Sequence, residues 1–415
     1  MENFRVAAIC VLCLILPLSI LSFGQEMTLD EVLSTAKRVN PRLQSLENAV
    51  KAKQAAADQA NVALNPSMGT ILGNRTQFFE LGQELEYPGK RPARTNAALA
   101  EAEIAKMELK LSMLEIEQEI ADIFYDILWA QKNIELLQEN VNVTEKFLES
   151  ANYKFGQGLG SKLDVIKGEV EVARAKRLLQ SAKENLLVNQ YKLKIRLKMN
   201  LALPIYLKGD LMISTIVSPA ALEEKALPAS LDSLLSTAYQ VHPSLWIEKY
   251  KLKSAEYNVE MARLSSKPNF NLGLTGGVED REAKVELNLS IPLAIWDTKK
   301  GAKLEALLQQ KSSSYDIEDA QNLIKERVTF ALQAYQTATQ AVKLFEGKVF
   351  REAKEAAELA QKAYETGGFR FLDLIDAQHT YIDASSEYFN SLRSLRHAEI
   401  GLQTSIGKSI LGDQE

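Results

Sequence analysis

Two long stretches of the chain, 93–203 and 293–415, contain no proline, and their apolar residues recur three and four positions apart. Ile120, Ile123, Ile127, Ala130, Ile134, Leu137, Val141, Thr144 and Leu148 form one series. Val328, Ala331, Tyr335, Ala338, Val342, Phe345 and Val349 form the other. Proline costs a helix interior about 3 kcal/mol, and a repeat of about 3.5 residues keeps one stripe against a partner. Both stretches therefore predict very long helices packed lengthwise. A helix over 93–155 would measure about 95 Å at about 1.5 Å per residue, too long for one globular core. Each ends at glycines, Gly156, Gly158 and Gly160 or Gly367 and Gly368, where the chain reverses and a second helix returns over 162–202 or 371–410. Shorter leading helices are predicted over 28–64 and 230–266, nicked at Pro41 and Pro243.

Between the leading helices and each hairpin the period drops to two. Ala283, Val285, Leu287, Leu289 and Ile291 alternate with Glu282, Lys284, Glu286, Asn288 and Ser290. Phe270, Leu272 and Leu274 alternate with Asn271, Gly273 and Thr275, and Phe79, Leu81, Leu85 and Tyr87 with Glu80, Gly82, Glu84 and Glu86. This is the pattern of strands with one apolar and one polar face, and their length suits a tilted membrane strand. An ordinary soluble hairpin shows it too; two copies at equivalent positions weigh for the membrane. Glu80, Glu84, Glu86, Glu282 and Glu286 would then line a lumen.

The two halves are a duplication. Leu-Asp-Glu-Val-Leu-Ser-Thr-Ala at 29–36 returns as Leu-Asp-Ser-Leu-Leu-Ser-Thr-Ala at 231–238, and the same offset carries Pro41 onto Pro243 and Pro66 onto Pro268. The expected layout is a signal segment 1–24, a first repeat 25–203 with a β-hairpin at about 67–87, an inter-repeat linker 204–228, and a second repeat 229–415 with a β-hairpin at about 268–292. Two hairpins give only four strands. An open sheet of four cannot sit in lipid, so copies must pool strands around a symmetry axis: two would give eight, three twelve.

Composition narrows the function. Arg5 precedes an apolar run from Val6 to Leu21, which reads as a secretory signal. Cys10 and Cys13, the chain's 2 cysteines, lie within it, so no disulfide is expected. The formal net charge of −5 excludes a nucleic-acid partner. His242, His379 and His397 are scattered, no phosphate loop is present, and no metal site, cofactor or enzyme activity is expected.

The hairpin tips carry a resemblance. Tyr364 and Gly367 followed by Leu372-Asp373-Leu374-Ile375-Asp376-Ala377, with Phe155-Gly156-Gln157-Gly158 through Leu163-Asp164-Val165 in the first hairpin, resemble the tips of the TolC family of outer-membrane efflux channels. The segment from Gln83 through Glu84-Leu85-Glu86-Tyr87-Pro88-Gly89-Lys90 to Arg91 resembles that family's heavy-metal-efflux, CzcC-like branch, and a drug or general efflux role stays open beside it. The resemblance implies a mainly α fold with membrane β: duplicated helical hairpins forming a periplasmic α-barrel, and four strands per chain in a homotrimeric 12-stranded outer-membrane β-barrel. It implies an exit duct fed by an inner-membrane pump of RND type through a periplasmic adaptor. It also implies an aperture gate at Asp373 and Asp376, and a tip latch of Asp164 with Tyr364. Where the family's latch has arginine this chain has Phe369, with Arg370 one residue on; either Arg370 or apolar contact then holds the tip. Gly156, Gly158, Gly160, Ser161, Gly367 and Gly368 are the implied adaptor-docking tips. A rival reading is a soluble periplasmic coiled-coil adaptor, which also uses long hairpins with glycine tips.

Overall fold

The computed structural model describes residues 26–212 and 230–411. The signal segment and its cysteines, and most of the linker, lie outside the described residues. The first half runs β1 (Glu26–Met27), α1 (Leu29–Val39), α2 (Pro41–Ala60), β2 (Ser67–Leu72), β3 (Thr76–Leu85), α3 (Lys90–Gly156), α4 (Lys162–Arg196) and β4 (Tyr206–Leu207). The second half runs α5 (Leu231–Val241), α6 (Pro243–Ser265), β5 (Phe270–Glu279), β6 (Glu282–Ser290) and α7 (Lys300–Leu344). A π-helical turn (Phe345–Val349), α8 (Phe350–Glu365) and α9 (Phe371–Ser405) complete it.

The leading helices break where proline enters. Asn40 and His242 cap the helices that start at Pro41 and Pro243, and proline is tolerated at a first helical position because no hydrogen bond is required there. Leu33, Ala36 and Leu43 lie in the core around α3, and their repeat equivalents Leu235, Ala238 and Leu245 lie in the core against α7. The duplication is therefore a duplication of packing.

α3, 67 residues long, is the spine. Ile120, Ile127, Ala130, Leu137 and Val141 of the predicted seam are buried along it. α4 packs along its far half, α2 and α6 flank its near half, and α9 joins the second hairpin to it. The second seam behaves differently. Val342 is buried, but Val349 is 38 % exposed. One π turn adds a residue and rotates the stripe by about 100°, so Phe350 turns inward instead, its ring 5.4 Å from that of Tyr388. Neither that turn nor the short parallel pairing of β1 with β4 shows in the periodicity of the sequence.

Two buried carboxylates hold the segments that cross the middle of the rods. Glu117 accepts from Lys37 at 2.5 Å and from the Ile410 amide at 2.8 Å. Arg396 pairs with Glu399 at 2.7 Å and donates to the carbonyls of Leu211 and Met212.

At one end of the rods the sheet runs β2-β3-β5-β6, antiparallel throughout. Its register sorts the side chains. Met68, Leu81, Leu274 and Leu287 are level across the four strands, as are Thr70, Phe79, Gly276 and Val285, and these rows share one face. Gly69, Glu80, Thr275 and Glu286 are level on the other, where Asn288 donates to Thr275 at 3.1 Å. The apolar face is bare: Met68 is 77 % exposed and Leu287 72 %. Among the described residues neither the β2 nor the β6 edge has a partner strand.

Candidate functional site: the sheet and the hairpin tips

The sheet end sets out one polar wall. Glu80, Glu84, Glu282 and Glu286 fall on the polar face by register. Glu86 does not join them as a free acid. It lies beyond β3 and pairs with Arg94 at 2.5 Å, with 13 % of its side chain exposed, clamping the first turn of α3 to the strand that precedes it. Arg94 also donates to the carbonyls of Ala60 and Val62, so one guanidinium ties the end of α2, β3 and α3 together.

At the opposite end the two tips share one apolar cluster: Phe147, Ala151, Val165, Ala360, Tyr364, Phe371, Leu374 and Ile375. Helix periodicity explains it, since these residues face inward from α3, α4, α8 and α9 while their neighbours Leu163 and Leu372 stay more than half exposed. Gly158 and Gly367 have φ of +74° and +86°, conformations that tight reversals need and that side chains with a Cβ resist. Ser161 then caps α4, its Oγ accepting from the Leu163 amide at 3.1 Å. Gly156, Gly160 and Gly368 complete the reversals, and Leu159 at their summit is 80 % exposed.

Asp373 caps α9. It accepts from the Arg370 backbone amide at 3.2 Å and from the Arg370 guanidinium at 3.2 and 3.1 Å. These hydrogen bonds, the side-chain one foremost, hold the Asp373 carboxyl below its ordinary range. Asp376, one turn on, is exposed. Within the chain Arg370 is thus engaged with Asp373 and does not pair with Asp164. Asp164 is half-buried near Tyr364, whose hydroxyl is pushed up by burial and by that carboxylate's charge.

The contact that joins the tips comes from Lys154, a residue the sequence did not single out. Its ammonium donates to the Tyr364 carbonyl at 2.5 Å and stands 3.7 Å from the centre of the Tyr364 ring. The signal was present only as a lysine before Phe155 on a helix flank, which is indistinguishable from a solvated cation. His379 adds a second tie, to Glu171 of α4 at 2.9 Å. Among the described residues no group of His, Cys, Asp and Glu could hold a metal ion, and no helix is long and apolar enough to cross a membrane.

The arrangement has known counterparts. The model of the family "Outer membrane efflux protein" matches residues 32–197 and 234–408. The chain is 23 % identical over 390 residues to the cobalt-zinc-cadmium resistance protein CzcC of Cupriavidus metallidurans, covering 92 % of this chain and 90 % of that one. It is 21 % identical over 413 residues to the outer membrane protein TolC of Vibrio cholerae, covering 91 % and 90 %. Among solved structures, CusC superposes with a TM-score of 0.78 at 14 % identity, over 92 % of this chain and 93 % of that one. The chain belongs to the outer membrane efflux protein family, and is an outer-membrane efflux channel whose helical rods extend into the periplasm.

Proposed function

We propose that the channel is a homotrimer: three sheets close a twelve-stranded barrel in the outer membrane, and six helical hairpins form the tube beneath it. One observation carries the pooling of strands between copies, the four-stranded sheet with an exposed apolar face and two bare edges; the number three rests on the family. Unpaired backbone groups cannot stay in hydrocarbon, so the edges must meet other copies. A soluble adaptor has no use for such a sheet, and that rival falls.

At the far end, Asp373 and Asp376 stand three apart on one helix and so recur around the axis as rings of carboxylate, which select cations and narrow the periplasmic aperture. Asp164, Tyr364 and Lys154 hold the closed tips, with Arg370 fixing the direction of Asp373. The glycine reversals with Ser161, and the exposed Leu159 and Phe369 beside them, dock a periplasmic adaptor end to end. Through it an inner-membrane pump of RND type supplies the energy. The cargo is metal cations; the likeness to CzcC and the acid rows of the sheet support this.

Single-channel recording in a planar bilayer tests the assignment. The wild-type protein is expected to give small, cation-selective steps, and Asp373→Ala/Asp376→Ala steps several-fold larger and less selective. Steps of equal size in both would remove the gate from these residues. A folded protein that never inserts would overturn the trimeric barrel.

A further inference from the structure

Two features at the junction of sheet and rods have no role so far. One is a cleft of about 620 Å³ beside the start of β2, walled by Leu64 and by the segment leading from β3 into α3, including Leu85, Tyr87, Pro88 and Arg91. The other is the loop that follows β6. Leu293 is 75 % exposed, Ile295 63 % and Trp296 93 %. The Ile295 amide donates to the Leu293 carbonyl, so the three protrude on a tight turn. A loop bearing three bare apolar side chains wants a cover.

The sheet topology says what covers it. β2 follows α2 and runs away from the rods; β6 returns toward them and precedes α7. When the β6 edge of one copy closes on the β2 edge of the next, antiparallel like the other pairings, the end of β6 and the start of β2 lie at the same rod-side level. The loop leaving β6 then crosses the cleft beside β2 of the neighbouring copy. The chemistry agrees. The cleft offers aliphatic carbons and proline rings, and Arg91 is exposed and forms no ion pair among the described residues, a free guanidinium for an indole face.

We propose that each copy seats Trp296, on the 293–296 loop, in the cleft of the next copy, stacked on Arg91, so that a plug and socket fasten the ring where barrel meets tube. The segment 83–91 then serves as the socket wall. The proposal rests on the oligomeric barrel proposed above, and the test separates the two.

Beyond residue 25 the sequence has no cysteine, so paired cysteines report contacts cleanly. Trp296→Cys combined with Leu64→Cys, or with Pro88→Cys, is oxidised in isolated outer membranes and run on a non-reducing gel. A ladder of covalent dimer and trimer, absent from each single variant and collapsed by reductant, is expected. As a control, Leu289→Cys is combined in turn with cysteine at Met68, Thr70 and Leu72 across the strand edges. Edge pairs that link while the plug pairs do not would overturn the plug and leave the ring standing. No linkage from either set, in protein that resists carbonate extraction, would overturn both. A variant with Trp129→Phe and Trp246→Phe, leaving Trp296 as the sole tryptophan, is then exposed to brominated phospholipid. Weak quenching is expected; strong quenching would make Trp296 a lipid anchor instead.

Discussion

His242 shows how one residue couples a helix start to pH. It is 3 % exposed, and its Nδ1 accepts from the Ser244 amide at 3.2 Å, capping α6. Burial, and then the charge of Arg327, lower its pKa to about 4. A neutral ring is what the folded chain needs, so its contribution is complete above the unfolded value near 6.5 and is lost as pH falls from there through 4. At pH 4 the loss reaches about 3 kcal/mol per chain, at about 1.36 kcal/mol per unit. Thermal unfolding of wild type and of His242→Asn, which keeps an acceptor for the cap, isolates this contribution: relative to the variant, the wild type is expected to lose stability as pH falls from 7 to 4. Asp122 has the opposite sign. Burial raises its pKa to about 6, against the pull of His397 3.3 Å away. It therefore disfavours the fold increasingly as pH rises from 3.8 through 6.

At the scale of elements, the two hairpins are held together at their tips by an apolar cluster and one cation. Lys154→Met keeps the aliphatic stem against Tyr364 but removes the charged donor. About 2–4 kcal/mol of stability should go with it, since a hydrogen bond from a charged group contributes about 1.5–3 kcal/mol and a cation over an aromatic ring about 0.5–1. Thermal unfolding measures this, and bilayer recording should show more frequent wide openings. A stability loss without any change in opening would reduce Lys154 to packing. Most elements were legible because periodicity and proline write them openly: the seam at Ile120 to Val141, the nicks at Pro41 and Pro243, the alternation from Glu282 to Ser290. Four features were not. The π turn at Phe345–Val349 looks like any amphipathic helix until its phase slips. β1 and β4 are two residues each and pair across the length of a repeat. Lys154 and the Glu86–Arg94 clamp depend on which flank of a rod meets another, and a single helix period does not record that.

At the scale of the molecule, the chain is two copies of one plan set side by side, and what each copy lacks it shares. The acid rows of the sheet and the carboxylates of the tips lie at opposite ends of rods about 100 Å long at about 1.5 Å per residue. In the proposed ring, both ends of the conduit face the cargo with negative charge. Glu80→Gln/Glu286→Gln should therefore lower cation preference in reversal-potential measurements while leaving the tip-limited conductance nearly unchanged. Loss of conductance on the same scale as the tip variants would put the narrowest point in the barrel.

The bare β2 and β6 edges also govern inheritance. A chain with only one sound edge can still join a growing ring, but the ring it joins cannot close, so its fault is imposed on healthy neighbours. In the proposed trimer, an equal mixture of sound and faulty chains leaves roughly one ring in eight intact. Proline placed at whichever of Gly69 and Thr70 turns its amide outward makes such a chain. Expressed beside the wild type, it should act as a dominant poison of export, whereas a chain that never folds would be silent.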